Sequence, residues 1–374
     1  MKKIISYIFV LFLLLQACEP DKQQRASTSN RHVEFATLFA VDTAYGYPKI
    51  TVFDAWEKNQ NAAELLLVPE GKSVPRNLSP EVTVLRTPVR RLAVMSGTHI
   101  AFLDLLNDLD KVVGVSDFRL VKNQRIKQRI SNGDIKEIGI NNTFKKEQLL
   151  AAGVDAVLVS PYENQSYKNL RNMGVTVIPV PDYLETHPLG RAEWLRFFSF
   201  LSGKNEQAKQ IFSEISSEYL NLKNKAKNIQ GKPSIFSGKP YGGIWYQPGG
   251  SSYMSKIFED AGADYIWKEN KQSGGVPLDF ETVYFKAANA DFWRLVVKNE
   301  QRYSLKDLFQ EDARYKDFKA FKEQQILVCN VSEVSYYEVA PTEPNVVLAD
   351  LIYWLHPELG IDHQPVYYQK ISNE

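Results

Sequence analysis

From residue 91 onward the apolar residues of this chain fall into short unbroken runs, separated by stretches in which they recur every three or four positions. The runs at 91–95, 112–115, 156–159 and 176–180 are too continuous for half-exposed strands and predict strands buried on both faces. Between them, Ser96-Gly97-Thr98 opens a helix running through Asn107, and 145–152 and 167–173 read as further helices. Strands alternating with helices at this spacing predict a largely parallel sheet covered on both sides. Upstream the pattern is different. Stretches at 33–41 and 49–53 alternate around Tyr45-Gly46-Tyr47-Pro48 and predict a hairpin, with 64–68 and 82–85 as further strands of a β-rich extension.

Beyond Pro188 the periodicity is helical to about residue 229, interrupted near Gly203, with Phe212, Ile215, Tyr219 and Leu222 on one face. The strand–helix rhythm then resumes: strands at 234–236, 265–267, 292–297 and 326–329, and helices at 252–260, from Glu281, around Leu305 and Phe318, and at 345–355. The expected fold class is therefore α/β, with two lobes of mainly parallel sheets joined by one long helix. The boundaries run 1–18 for a signal, 19–30 for a tether, 31–187 for the first lobe with its β-rich extension, 188–229 for the connection and 230–374 for the second lobe. A helical crossover limits hinge motion more than extended strands would.

The two lobes repeat one local design. Glu147 begins a short helix that leads to Asp155 and an apolar strand, and Glu281 begins another that leads to Asp291 and a second strand. A glutamate in a first helical turn is favoured by the helix dipole by up to about 1 kcal/mol. That explains each one singly but not their matched placement, which suits a paired anionic contact to a two-fold symmetric basic partner.

The N-terminus carries Lys2 and Lys3, an apolar run from 4 to 15, and then Leu15-Gln16-Ala17-Cys18. The run is too short to span a bilayer stably and reads as an export signal. Its end resembles the bacterial lipobox, although Gln16 departs from the commonest pattern, and implies a lipidated Cys18 and a membrane-anchored product. Residues 19–30 are polar and aperiodic, as a flexible tether would be. The other cysteine, Cys329, sits in an apolar run, so no intrachain disulfide is expected. With 374 residues, 44% of them hydrophobic, the chain can bury a core without one. The net charge of +1 argues against a nucleic-acid binder.

Open α/β sheets bind ligands beyond the carboxyl ends of their strands. In the first lobe this singles out the loops holding His99, Arg119 and Tyr162; in the second, the glycine-rich 238–249 stretch with Trp245 and Tyr246, and Tyr336 and Tyr337 after a later strand. Aromatics set among glycines offer wide apolar contact with polar tips. The five histidines are scattered with no pair at metal-ligand spacing, and no nucleophile elbow, P-loop or dinucleotide fingerprint occurs, so neither a metal site nor catalysis is expected.

From Ala93-Val94-Met95-Ser96-Gly97-Thr98-His99, through Val113-Gly114-Val115-Ser116, the two glutamate-led helices and the long connection, to Leu351-Ile352-Tyr353-Trp354-Leu355-His356, the chain resembles the helix-hinged periplasmic binding proteins of ABC importers. The resemblance implies capture of a ferric siderophore, cobalamin or haem between the lobes, with ferric chelates favoured. It implies docking on a permease dimer and its ATPase through Glu147 and Glu281. Cobalamin binders carry a tryptophan shortly upstream of each docking glutamate; here those stretches read Lys136-Glu137-Ile138-Gly139 and Ser273-Gly274-Gly275-Val276-Pro277. The expectation is a periplasmic, lipid-anchored binding protein with no cofactor of its own, its cargo an iron chelate or corrinoid. Two alternatives stand beside it: a haem binder of the same fold, and a secreted enzyme on a two-lobed scaffold.

Overall fold

The continuous apolar runs become two five-stranded sheets in the computed structural model, which describes residues 33–140 and 143–373. The export signal, Cys18 and the 19–30 tether lie outside the described residues. In the first lobe the strand order is Val177–Pro179, Ala156–Val159, Leu92–Val94, Val112–Val115, Lys136–Glu137, every pair parallel. In the second it is Asp264–Tyr265, Ser234–Ser237, Phe292–Val297, Ile326–Asn330, again parallel, closed by antiparallel Gln369–Lys370. Ala156–Val159 and Ile326–Asn330 are buried along their whole length, as strands covered on both faces must be. Phe292–Val297 differs: Trp293, Leu295 and Val297 are buried, while Phe292, Arg294 and Val296 on the other face are partly open.

The β-rich extension is a separate four-stranded sheet of Phe39–Ala44, Tyr47–Phe53, Asn61–Pro69 and Val82–Thr87. Its first turn, Tyr45-Gly46, has φ of 55° and 78°, the pairing that a tight hairpin with right-handed strand twist requires. Residues 33–38, expected to be part of the first strand, are instead held by two carboxylates. Glu193 accepts the backbone N–H groups of Glu34, Phe35 and Ala36, and Glu185 accepts those of Thr37 and Leu38, all within 3.0 Å. These donors would otherwise go unpaired in a partly buried setting.

The connection is three helices, Pro188–Ala192, Trp194–Ser202 and Asn205–Lys227, with Gly203 in the left-handed region (φ +76°) at the second break. Trp194, Leu195, Phe197 and Phe198 pack into the first lobe's core, whereas Phe212, Tyr219 and Leu222 pack into the second's. The connection therefore belongs to both cores rather than hanging between them. A helix at Gln124–Ser131 was not evident in the apolar pattern because Ile126 is its only buried residue.

Candidate functional site

The stretch from Gly238 to Gly249, read as a loop, is an antiparallel ribbon in which Ile244–Pro248 pairs with Pro240–Tyr241 and with Gly275–Leu278. Successive side chains of a strand point to opposite faces, so Trp245 and Tyr246 cannot line the same surface. Trp245 is the inward one. It is 0% exposed, donates its indole N–H to the Ser237 carbonyl at 2.9 Å, and packs among Phe236, Phe280, Trp293 and Phe318. Its expected place in the ligand cleft is corrected: it belongs to the second lobe's core. Tyr246 is the outward one and is exposed.

The same geometry separates Tyr336 from Tyr337. On the short Tyr336–Val339 helix adjacent side chains diverge by about 100°. Tyr336 turns inward and Tyr337 stays 65% exposed. Tyr337, Tyr246 and Tyr241 rim an open cavity of about 420 Å³ at the carboxyl ends of the Ser234–Ser237 and Phe292–Val297 strands, with Gln247 and Arg294 in its wall. Volumes of roughly 300–1,000 Å³ are usual for small-molecule sites. Tyr336 reaches this wall from beneath, its hydroxyl accepting an N–H of Arg294 at 3.0 Å.

In the first lobe, Tyr162 is exposed on a cavity of about 380 Å³. The opposite wall, with Trp56 and Asp54, comes from the β-rich extension, so that extension shapes a strand-end cavity. Arg119 is exposed but already engaged, its guanidinium forked onto Asp117 at 2.6–3.1 Å. That hydrogen bond holds the Asp117 carboxyl below the usual range. His99 departs from expectation. It is fully buried against Phe198, 3.7 Å from Asp182, with neither ring nitrogen hydrogen-bonded, so it packs the core and does not face a ligand. Cys329 is buried, and burial pushes its thiol up to about 12, so it is no nucleophile at neutral pH. Among the described residues no cluster of His, Cys, Asp and Glu could hold a metal ion.

The lobes touch where the first strand-to-helix turn meets the helix after Ile326–Asn330. Thr98 donates its hydroxyl to the Tyr337 carbonyl at 3.3 Å, and the Glu338 carboxylate accepts the Lys122 N–H at 2.8 Å. A Cβ at Gly97 would lie 2.4 Å from Glu338 Cγ, so the close approach needs glycine there. Burial pushes the Glu338 carboxyl up, against the pull of the Lys122 hydrogen bond. Neither Glu338 nor Arg294 stood out in the sequence. Arg294 left one usable signal, a lone charge inside the otherwise apolar strand Phe292-Trp293-Arg294-Leu295-Val296-Val297.

Glu147 and Glu281 each fall in the first turn of a short helix, Lys146–Ala152 and Phe280–Ala287, and both are exposed. An exposed apolar side chain lies about one turn on from each, Leu150 at 60% and Phe285 at 88%. Glu281 is 3.5 Å from Arg314, a solvent-exposed pairing worth little.

Residues 92–331 match the profile of a periplasmic binding protein family, and the chain belongs to that family. An uncharacterized lipoprotein of Methanocaldococcus jannaschii is 28% identical over 292 residues, covering 75% of this chain and 68% of that one. Among solved structures, a periplasmic heme-binding protein from Pseudomonas aeruginosa superposes with a TM-score of 0.58 at 16% identity, covering 76% of this chain and 98% of that one. An Fe3+-hydroxamate transport system protein from Saccharomonospora viridis gives 0.55 at 16% identity, covering 72% and 94%. The likeness to these structures establishes the fold: α/β, two lobes of mainly parallel sheets and a helical connection.

Proposed function

We propose that this chain is the substrate-binding lipoprotein of an ABC importer, capturing an iron chelate or a cobalamin-like ligand between its lobes and delivering it to the permease and its ATPase. The observation that carries the reading is the open, tyrosine-rimmed cavity at the carboxyl ends of the second lobe's strands, where an open α/β sheet receives ligands. Tyr246 and Tyr337 are exposed at its rim, and Tyr162 is exposed on the first-lobe cavity. Arg119 commits Nε and Nη2 to Asp117, which leaves the rest of its exposed guanidinium for a ligand. Glu147 and Glu281, exposed at matched helix starts, are the docking pair for permease arginines, and Leu150 and Phe285 supply apolar contact beside them. Cys18 is the lipidation site that holds the protein at the periplasmic face of a membrane, in line with the lipoprotein relative.

Haem is the second reading. It is favoured by the tyrosine-rich rim and by the haem-binding neighbour. A binding role is the one proposed. Titration of the full chain with ferric chelates, cobalamin and haem is the test. Saturable one-to-one binding of one of them is expected; failure of all three classes to bind overturns the reading. Fatty-acid labelling that is lost in Cys18→Ala is expected of the anchor, and equal labelling of the two would overturn it.

A further inference from the structure

A guanidinium is charged at any physiological pH and carries five N–H donors. Arg294 uses three of its donors on hydroxyl groups: Nε to Tyr368 at 2.8 Å, Nη1 to Ser237 at 3.1 Å and Nη2 to Tyr336 at 3.0 Å. Tyr368 donates its own O–H to the Tyr336 hydroxyl oxygen at 2.9 Å. The rings of Tyr336 and Tyr368 flank the guanidinium, with centroids at 5.6 and 5.4 Å. All of these partners are neutral. Burial pushes the Tyr368 hydroxyl far above its ordinary pKa and the nearby Cys329 thiol up to about 12, so neither supplies a negative charge. No carboxylate among the described residues stands within ion-pair distance of Arg294. Lys239, the other cation on the same cavity wall, is already paired with Glu311.

The cavity wall thus carries one net positive charge without a counter-ion, clamped in place by two tyrosines and a serine. Removing a guanidinium from bulk water without an anion is unfavourable, and an arriving anion offsets that cost. The hydroxyl clamp fixes the orientation of the fork and leaves two of its N–H donors unused. Planar bidentate recognition of a carboxylate is what a fixed guanidinium does best.

We propose that Arg294, held by Tyr336, Tyr368 and Ser237, is an anion-recognition site, and that the ligand of this cavity presents a carboxylate group to it. This rests on the ligand-binding reading above and narrows it to carboxylate-bearing cargo, against neutral hydroxamate chelates or cobalamin. Ferric carboxylate chelates and the propionates of haem share this chemistry, and the probes separate them.

The test titrates the full chain in detergent with ferric citrate, hemin, hemin dimethyl ester, ferrichrome and cyanocobalamin. Wild type is expected to bind ferric citrate or hemin at least tenfold more tightly than the neutral probes, and to discriminate hemin from its dimethyl ester if hemin is the better ligand. Arg294→Gln is expected to lose on the order of tenfold or more in affinity for the carboxylated probe, with Arg294→Lys between the two. The wild-type comparison stands even if the variants fold poorly. Tighter binding of ferrichrome or cyanocobalamin than of either acid, or of the ester as tightly as hemin, would overturn the carboxylate assignment and leave the solute-binding reading intact. Equal affinity of folded Arg294→Gln for the acid would do the same. Binding of none of the five would overturn both.

Discussion

Trp245 and Tyr246 are neighbours in sequence with opposite fates. Strand alternation sends one into the aromatic core and leaves the other at the cavity rim. Trp245→Ala should therefore act first on stability, costing about 3–5 kcal/mol as a core cavity does. Denaturant unfolding checks this; a loss under about 1 kcal/mol would mean that the indole is not part of the core. Glu338 gives a pH prediction. Its carboxyl is pushed up by burial, so the folded state holds that proton more tightly than the unfolded chain, and stability falls as pH rises from about 4.5 to the raised value. Glu338→Gln removes the titration while keeping an acceptor for Lys122. Its melting temperature relative to wild type should climb between pH 4.5 and 7, whereas a constant offset would contradict the account. These roles were hard to read in advance because a lone aromatic or acid in a sequence does not reveal which side of its element meets the core. The residues around the glycines at 238–249 looked like a loop because glycine hid a ribbon whose alternation spans only Ile244–Pro248.

Elements were more legible than residues. Val112–Val115, Ala156–Val159 and Ile326–Asn330 stand where continuous apolar runs placed them, because burial on both faces leaves no other pattern available. The Gln124–Ser131 helix escaped because it rests on the fold by a single buried residue. Residues 33–38 escaped because long-range carboxylates, not strand pairing, satisfy their backbone. The three N–H groups on Glu193 predict a local effect. Glu193→Ala should cost on the order of 3 kcal/mol, each of the three hydrogen bonds being worth about 1 kcal/mol net. Hydrogen exchange should show it: residues 34–36 should lose protection well before the sheet strands do. Unchanged protection at 34–36 would mean that other contacts hold the segment.

At the scale of the whole molecule, the connection packs into both cores, and Glu338, Thr98 and Gly97 tie the lobes at their contact. Ligand binding should therefore change the radius of gyration very little, and a large compaction in small-angle scattering would count against this. The two-lobed plan was visible in the sequence as two rounds of the same strand–helix rhythm. The cavity was not, since it is assembled from the ribbon, the ends of two strands and the Tyr336–Val339 helix, which are far apart in the chain. The most direct measurement is uptake of a labelled ferric chelate by cells carrying the importer with this chain or with its Glu147→Lys, Glu281→Lys variant. Rim charges tune association with a partner more than they build a buried site. The account predicts that wild type supports uptake, and that the double reversal loses most of it while binding the ligand within a few-fold of wild type. Uptake that proceeds without the chain, or a double reversal that destroys ligand affinity along with transport, would contradict it.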